Sequence, residues 1–182
     1  MFKFIKEFIK NPNFIGSVVP SSESLAKKMV EGINFQECNC IIEYGAGTGV
    51  FTQKLIARKK ESTLLLVFES NKIFSEDLLN MYGHKENVKI INDGAENARK
   101  YLSLYNINQV DYIVSGLPFT VLPVSISSDI LMNTKDILKD NGEFITFQYS
   151  LVKKRFFESY FNSIKSKKVI MNLPPAYVLI CK

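Results

Sequence analysis

The sequence predicts an α/β domain built on a mostly parallel, seven-stranded sheet that ends in an antiparallel C-terminal strand. Three observations predict it. From Cys40 onward, short apolar runs alternate with amphipathic stretches, the pattern of strands joined by crossover helices. A run of alternating glycines, Gly45 to Gly49, joins the first apolar run to the first amphipathic stretch. The last two β-rich runs are separated only by Leu173–Ala176, a link short enough for antiparallel neighbours.

Taken in order, the strands are expected at Cys40–Tyr44, Thr63–Phe68, Val88–Asn92, Val110–Ser115 and Glu143–Tyr149. The helices between them are expected at Val50–Lys59, Lys72–Met81, Ala95–Tyr105 and Ile126–Leu138. Asp140-Asn141-Gly142 marks a turn before the fifth strand. A helix over Lys153–Ile164 follows, then β-rich runs at Lys168–Asn172 and Tyr177–Cys181. Ahead of the first strand, Leu25–Ile33 reads as a helix with Ser21 or Ser22 as its N-cap and Gly32 near its end.

Length and composition bound the organisation. The 182 residues, 46% of them hydrophobic, suit one domain with a full core and exclude a disordered chain. No repeat or linker interrupts it, so residues 1–182 read as one unit, with a helical segment over 1–34 and the core over 35–182. The 23 Lys and Arg exceed the 18 Asp and Glu, giving +5, which favours an anionic partner without separating nucleic acid from a membrane surface. Cys38, Cys40 and Cys181, with His84 as the lone imidazole, make a structural metal site unexpected. An odd cysteine count, no signal peptide and no apolar run long enough to span a bilayer read as a cytoplasmic chain.

The chemistry concentrates at three strand ends. Ile41-Ile42-Glu43-Tyr44-Gly45-Ala46-Gly47-Thr48-Gly49 is a strand, a tight glycine turn and a helix start, where a ligand can approach backbone free of Cβ atoms. Glu69 follows at the end of the second strand, placed to accept both hydroxyls of a ribose. Glu43 just before the turn would repel a pyrophosphate but tolerate a cationic amino-acid moiety. The turn resembles motif I of class I S-adenosylmethionine methyltransferases, which implies a Rossmann-like sandwich and S-adenosylmethionine as cofactor. In that family an Asp ending the third strand holds the adenine amine, and Asn92-Asp93-Gly94-Ala95 supplies the counterpart. The cofactor set implied is Glu43, Gly45, Gly47, Gly49, Glu69, Ser70, Asp93, Gly94, Ala95 and Ser115.

The fourth strand ends Ser115-Gly116-Leu117-Pro118-Phe119. This is similar to the N-L-P-Y/F segment of adenine-N6 methyltransferases, including the ribosomal RNA dimethylases. There a polar side chain accepts from the target amine and the aromatic ring stacks on the base. Gly116 has no such side chain, which weakens the base-methylating reading. The dimethylases also carry a helical C-terminal RNA domain, whereas this sequence ends with its sheet, and its basic residues lack aromatic interleaving. Four segments, Gly16–Ser22, Gly45–Gly49, Ser115–Pro118 and Asn172–Ala176, with Phe147-Gln148-Tyr149, resemble the bacterial phospholipid N-methyltransferases related to those dimethylases.

That resemblance implies phosphatidylethanolamine as the acceptor, with ribosomal RNA adenine or another small amine as alternatives. The implied catalytic set is Ser115, Gly116, Pro118 and Tyr149, with Phe119, Tyr149 and Tyr177 as rings able to face a methylated cation. Residues 2–10 give the lipid reading a means of docking. At about 100° per residue, Phe2, Phe4, Ile5, Phe8 and Ile9 fall in one arc opposite Lys3, Lys6, Glu7 and Lys10. Such a helix either lies in an anionic membrane surface or lids the protein's own core. The partners expected are therefore a phospholipid substrate and an anionic membrane surface, ahead of nucleic acid, with peripheral placement at the inner face of the membrane.

Overall fold

A computed structural model describes residues 22–182. The predicted amphipathic segment 2–10, and residues 16–21 of the upstream motif, lie outside the described residues. Helix α1 (Glu23–Val30) comes first, and of the two candidate caps Ser22 is the described one, its hydroxyl accepting from the Leu25 N–H at 3.1 Å. Then follow β1 (Cys40–Tyr44), α2 (Val50–Arg58), β2 (Leu64–Phe68), α3 (Lys72–Tyr82) and β3 (Val88–Ile91). A 3₁₀ turn (Ala95–Asn97) leads into α4 (Ala98–Leu104), β4 (Val110–Ser115), α5 (Val124–Ile137) and β5 (Leu138–Gln148). The chain closes with α6 (Lys154–Glu158), β6 (Ile164–Val169) and β7 (Ala176–Cys181).

The seven strands lie in the order β3-β2-β1-β4-β5-β7-β6. All pairs from β3 to β5 are parallel, while β7 runs antiparallel to both β5 and β6. The expected mixed sheet with one reversed strand is thus present. Its central strands are buried on both faces, as parallel strands between helical layers must be: every residue of β1 is buried. One face packs Ile42, Tyr44, Phe68 and Phe144 under α4, α5 and α6. The other packs Ile41, Leu65, Val67 and Val114 against α1 and α2. Strand order reverses between β1 and β4, which opens a crevice outside their C-terminal ends.

Several boundaries differ from expectation, each for a physical reason. The predicted helix Lys153–Ile164 stops at Glu158. Phe157 and Phe161 do share the helical four-residue spacing, and both pack on Phe144, but the chain between them leaves the helix to reach the sheet edge. The strand expected at Lys168–Asn172 instead begins at Ile164 and ends at Val169. Its lysine-rich sequence reads poorly as a strand because it is an edge strand, where exposed lysines discourage further pairing. Strand β5 begins at Leu138 rather than Glu143, and the Asp140-Asn141-Gly142 turn is a bulge within it. Val110 pairs with Leu138 while Tyr112 pairs with Glu143. The predicted single helix Ala95–Tyr105 opens with the 3₁₀ turn, and α1 starts and stops two to three residues before the predicted Leu25–Ile33.

Candidate functional site

The glycine turn between β1 and α2 is the centre of the site. Gly45, Gly47 and Gly49 have φ of +66°, +54° and +83°, a backbone region that other residues enter only with strain. A Cβ at Gly45 would lie 2.7 Å from the Leu117 side chain and one at Gly49 2.8 Å from Leu78, so both are also close-packed. A Cβ at Gly47 meets nothing within 4 Å and points into open space. Gly47 is therefore the glycine beside which a ligand has room.

Glu69, at the end of β2, clasps this turn. Its carboxylate accepts the Gly47 N–H at 2.8 Å with one oxygen and the Asn71 N–H at 2.8 Å with the other. Burial pushes its carboxyl upward from the usual range, and those two N–H donors offset part of the push. Each oxygen keeps a lone pair for a ligand hydroxyl. Ser70 sits half-buried between Glu69 and Asn71, the residue whose side chain caps α3.

Asp93 is held more firmly still. One of its oxygens accepts from the Gly94 N–H and the Asn97 amide, each at 2.8 Å, and the other from the Tyr101 hydroxyl at 2.8 Å. Burial raises its carboxyl, but these donors and the Lys100 charge outweigh it and hold Asp93 below the usual range. It is thus an ionised, oriented acceptor. Gly94 and Ala95 form the entry to the 3₁₀ turn behind it. Tyr101, Asn71 and Asn97 were not singled out from sequence. For Asn71 the signal was available, since Asn before a helix is a common cap.

Glu43 has no solvent exposure, and neither of its carboxylate oxygens has a hydrogen-bond partner. Burial pushes its carboxyl up to about 8; the adjoining Thr52 offsets this only in part, and the Glu69 charge adds to it. A fully buried carboxyl without a hydrogen-bond partner, next to a glycine cradle, would ionise against a cation bound beside it. The donor set therefore fits S-adenosylmethionine. Glu43 would face its cationic amino-acid end and the glycine turn would lie against it, with Glu69 positioned for ribose hydroxyls and Asp93 for the adenine amine.

The acceptor side is built from the segment after β4. Gly116 donates its N–H to the Tyr44 carbonyl at 2.8 Å, and a Cβ on it would lie 2.6 Å from the Gly45 carbonyl oxygen. Its own carbonyl accepts no hydrogen bond among the described residues. Ser115 is fully buried; its hydroxyl accepts the Leu117 N–H at 3.2 Å and shapes the turn from within. Pro118 is half-buried in that turn.

Phe119 departs from expectation. It has no exposure and packs edge-on against Phe144 and Phe157, so it is a core residue and offers no face to an acceptor. Tyr177 is half-buried, with the Lys168 ammonium 5.9 Å from its ring centroid. The ring that does adjoin Gly116 comes from elsewhere. Phe51, at the start of α2, lies 3.6 Å from the Gly116 Cβ position and stands edge-on to Phe147 at 6.0 Å, which stands edge-on to Tyr149 at 5.6 Å. Phe51 was missed because it reads as ordinary helix packing.

Fold and site together define a class I S-adenosylmethionine-dependent methyltransferase. The family model for ribosomal RNA adenine dimethylase matches residues 2–171, and the chain belongs to that family. Among curated relatives, an ornithine lipid N-methyltransferase of Singulisphaera acidiphila is 28% identical over 100% of this chain and 95% of its own length. A ribosomal RNA small subunit methyltransferase A of Borreliella burgdorferi is 34% identical over 62% of this chain, which spans 37% of that relative. Two solved structures share the fold. A precorrin-6y C5,15-methyltransferase of Geobacter metallireducens superposes with TM-score 0.66 at 14% identity, covering 87% of each chain. Aeropyrum pernix fibrillarin, with natively bound S-adenosyl-L-methionine, superposes with TM-score 0.59 at 18% identity, covering 78% of this chain and 66% of that one.

Proposed function

We propose that the chain N-methylates the primary amine of a membrane-lipid headgroup. Phosphatidylethanolamine is the acceptor that the sequence motifs imply. An ornithine lipid is the acceptor named for the relative that aligns over the full chain, and both lipids present a primary ammonium. The observation that carries the reading is the approach of Gly116 to the Gly45 carbonyl. Backbone fills the place from which a polar side chain would address an adenine amine, and Phe119, the ring that would stack on the base, is buried in the core.

When bound, S-adenosylmethionine supplies a methyl group already activated by its sulfonium, so the chain's task is chiefly positioning. The Gly116 carbonyl, without an internal partner, accepts an N–H of the incoming amine and fixes its direction. That amine arrives protonated and releases a proton before its lone pair is free. Tyr149, 36% exposed just past β5, can accept a hydrogen bond from the ammonium, while the proton itself leaves to water. Ser115 shapes the turn and, being buried, takes no part in that transfer. Phe147, half-buried and backed by the buried Phe51, excludes water and presents ring surface to the methylammonium product.

Mass spectrometry of lipid vesicles incubated with the purified chain and S-adenosylmethionine tests this. Phosphatidylethanolamine or ornithine lipid should gain mass in single-methyl steps. Unchanged masses for both, with cofactor binding intact, would refute the proposal.

A further inference from the structure

Two loops leave the acceptor end of the sheet side by side. Residues 149–153 follow β5 and residues 170–175 join β6 to β7, with only β7 between their roots, a separation of roughly 10 Å. Their tips are apolar and exposed: Val152 83%, Met171 82%, Leu173 82% and Ile170 71%. Single exposed apolar side chains are ordinary, but four large ones on adjoining loops at one edge form a patch.

The second loop is built to display them. Asn172, between Met171 and Leu173, is only 5% exposed; it accepts the Ser22 N–H at 3.2 Å and donates to the Pro174 carbonyl at 2.7 Å. With Asn172 turned inward and pinned, its two neighbours face outward.

Cations flank both loops in sequence. Lys153, Arg155 and Lys168 have no carboxylate within ion-pair distance among the described residues. The acidic groups nearby are engaged, Glu158 by Lys154 at 2.7 Å and Glu31 by Lys28 at 2.8 Å. Apolar tips with such cations beside them in sequence complement the acyl boundary and anionic headgroups of a bilayer.

We propose that this two-loop pad inserts into an anionic lipid surface and sets the Gly116–Tyr149 mouth against the headgroups. Tyr149 stands at the root of the loop that carries Val152, so insertion of the loop brings the bilayer to the acceptor side. The purpose of the pad rests on the lipid-amine reading, but its test does not.

The chain contains no Trp, so Val152→Trp and Met171→Trp each provide a single fluorescent reporter. Against vesicles of phosphatidylethanolamine and phosphatidylglycerol, both reporters should shift to the blue and be quenched by brominated acyl chains. Vesicles of phosphatidylcholine alone should give a weaker response. The double variant Met171→Asp, Leu173→Asp should bind the anionic vesicles at least about tenfold more weakly while binding S-adenosylmethionine as before. Emission that vesicles leave unchanged, or that is already blue-shifted without them because protein covers the pad, would overturn the proposal. So would a double variant that binds vesicles like the unaltered chain. Reporters that insert while no lipid is methylated would uphold the pad and sink the lipid-amine reading alone.

Discussion

The two ends of the sheet's ligand edge are made differently. On the β3-β2-β1 side, Glu69 and Asp93 are each fixed by backbone or side-chain donors at 2.8 Å, and the glycine turn is clasped between strands. On the side from β4 through β5 and β7 to β6, the surfaces are the Phe147 and Tyr149 rings, the free Gly116 carbonyl and apolar loop tips. The difference matches the ligands proposed for each side. A cofactor with fixed polar groups rewards fixed acceptors, whereas an amine carried on a lipid needs an open mouth, ring surface and a hold on the bilayer.

The largest expected effect breaks the cofactor side. Gly47→Arg places a side chain where the turn leaves open space and strains its φ, so calorimetry should show S-adenosylmethionine affinity falling by about 100-fold or more. Glu69→Ala removes both the ribose acceptor and the clasp on Gly47. A loss of about 30-fold in the same titration is expected, consistent with about 2 kcal/mol for charged hydrogen bonds. Nearly unchanged binding in either variant would move the cofactor away from this turn.

The acceptor side is probed by Gly116→Asn, which restores the side chain that base methylation uses. Because the new Cβ meets the Gly45 carbonyl oxygen, the variant should lose about 1–3 kcal/mol in denaturant unfolding and gain no activity on RNA. Emergence of RNA methylation would mean that the close approach is not what selects the acceptor.

The smallest effect is a pH dependence that belongs to the cofactor side alone. The Glu43 carboxyl is raised to about 8 in the folded chain, so between the ordinary carboxylate range and about 8 the folded state binds the extra proton. Stability therefore falls as pH rises through that window. Glu43→Gln should flatten the decline in thermal unfolding measured from pH 5 to 8, while weakening the cofactor. An equal slope in both proteins would place the titration elsewhere.

The same division explains what could be read from sequence. Strands β1 and β4 match their predicted bounds because their signals are local: short, mainly apolar runs, each followed at once by a glycine. The positions of Glu69 and Asp93 follow from the strand count. What was hidden is tertiary. Phe119 looks like an acceptor ring in its motif, yet the turn swings it under Phe144 and Phe157. Asn172 meets Ser22 across 150 residues, a contact that no window of sequence reveals. Strand β6 was obscured because its lysines answer to its place at the sheet edge rather than to a buried face. The acceptor side was less legible because its surfaces come from segments that meet only on folding.

The central claim is tested most directly by competition in one vessel. Purified chain receives methyl-labelled S-adenosylmethionine with phosphatidylethanolamine vesicles and ribosomal RNA at equal acceptor concentration, and label is counted after the two are separated. The account predicts label in the lipid fraction, abolished by Gly47→Arg. Label in the RNA fraction alone would contradict it.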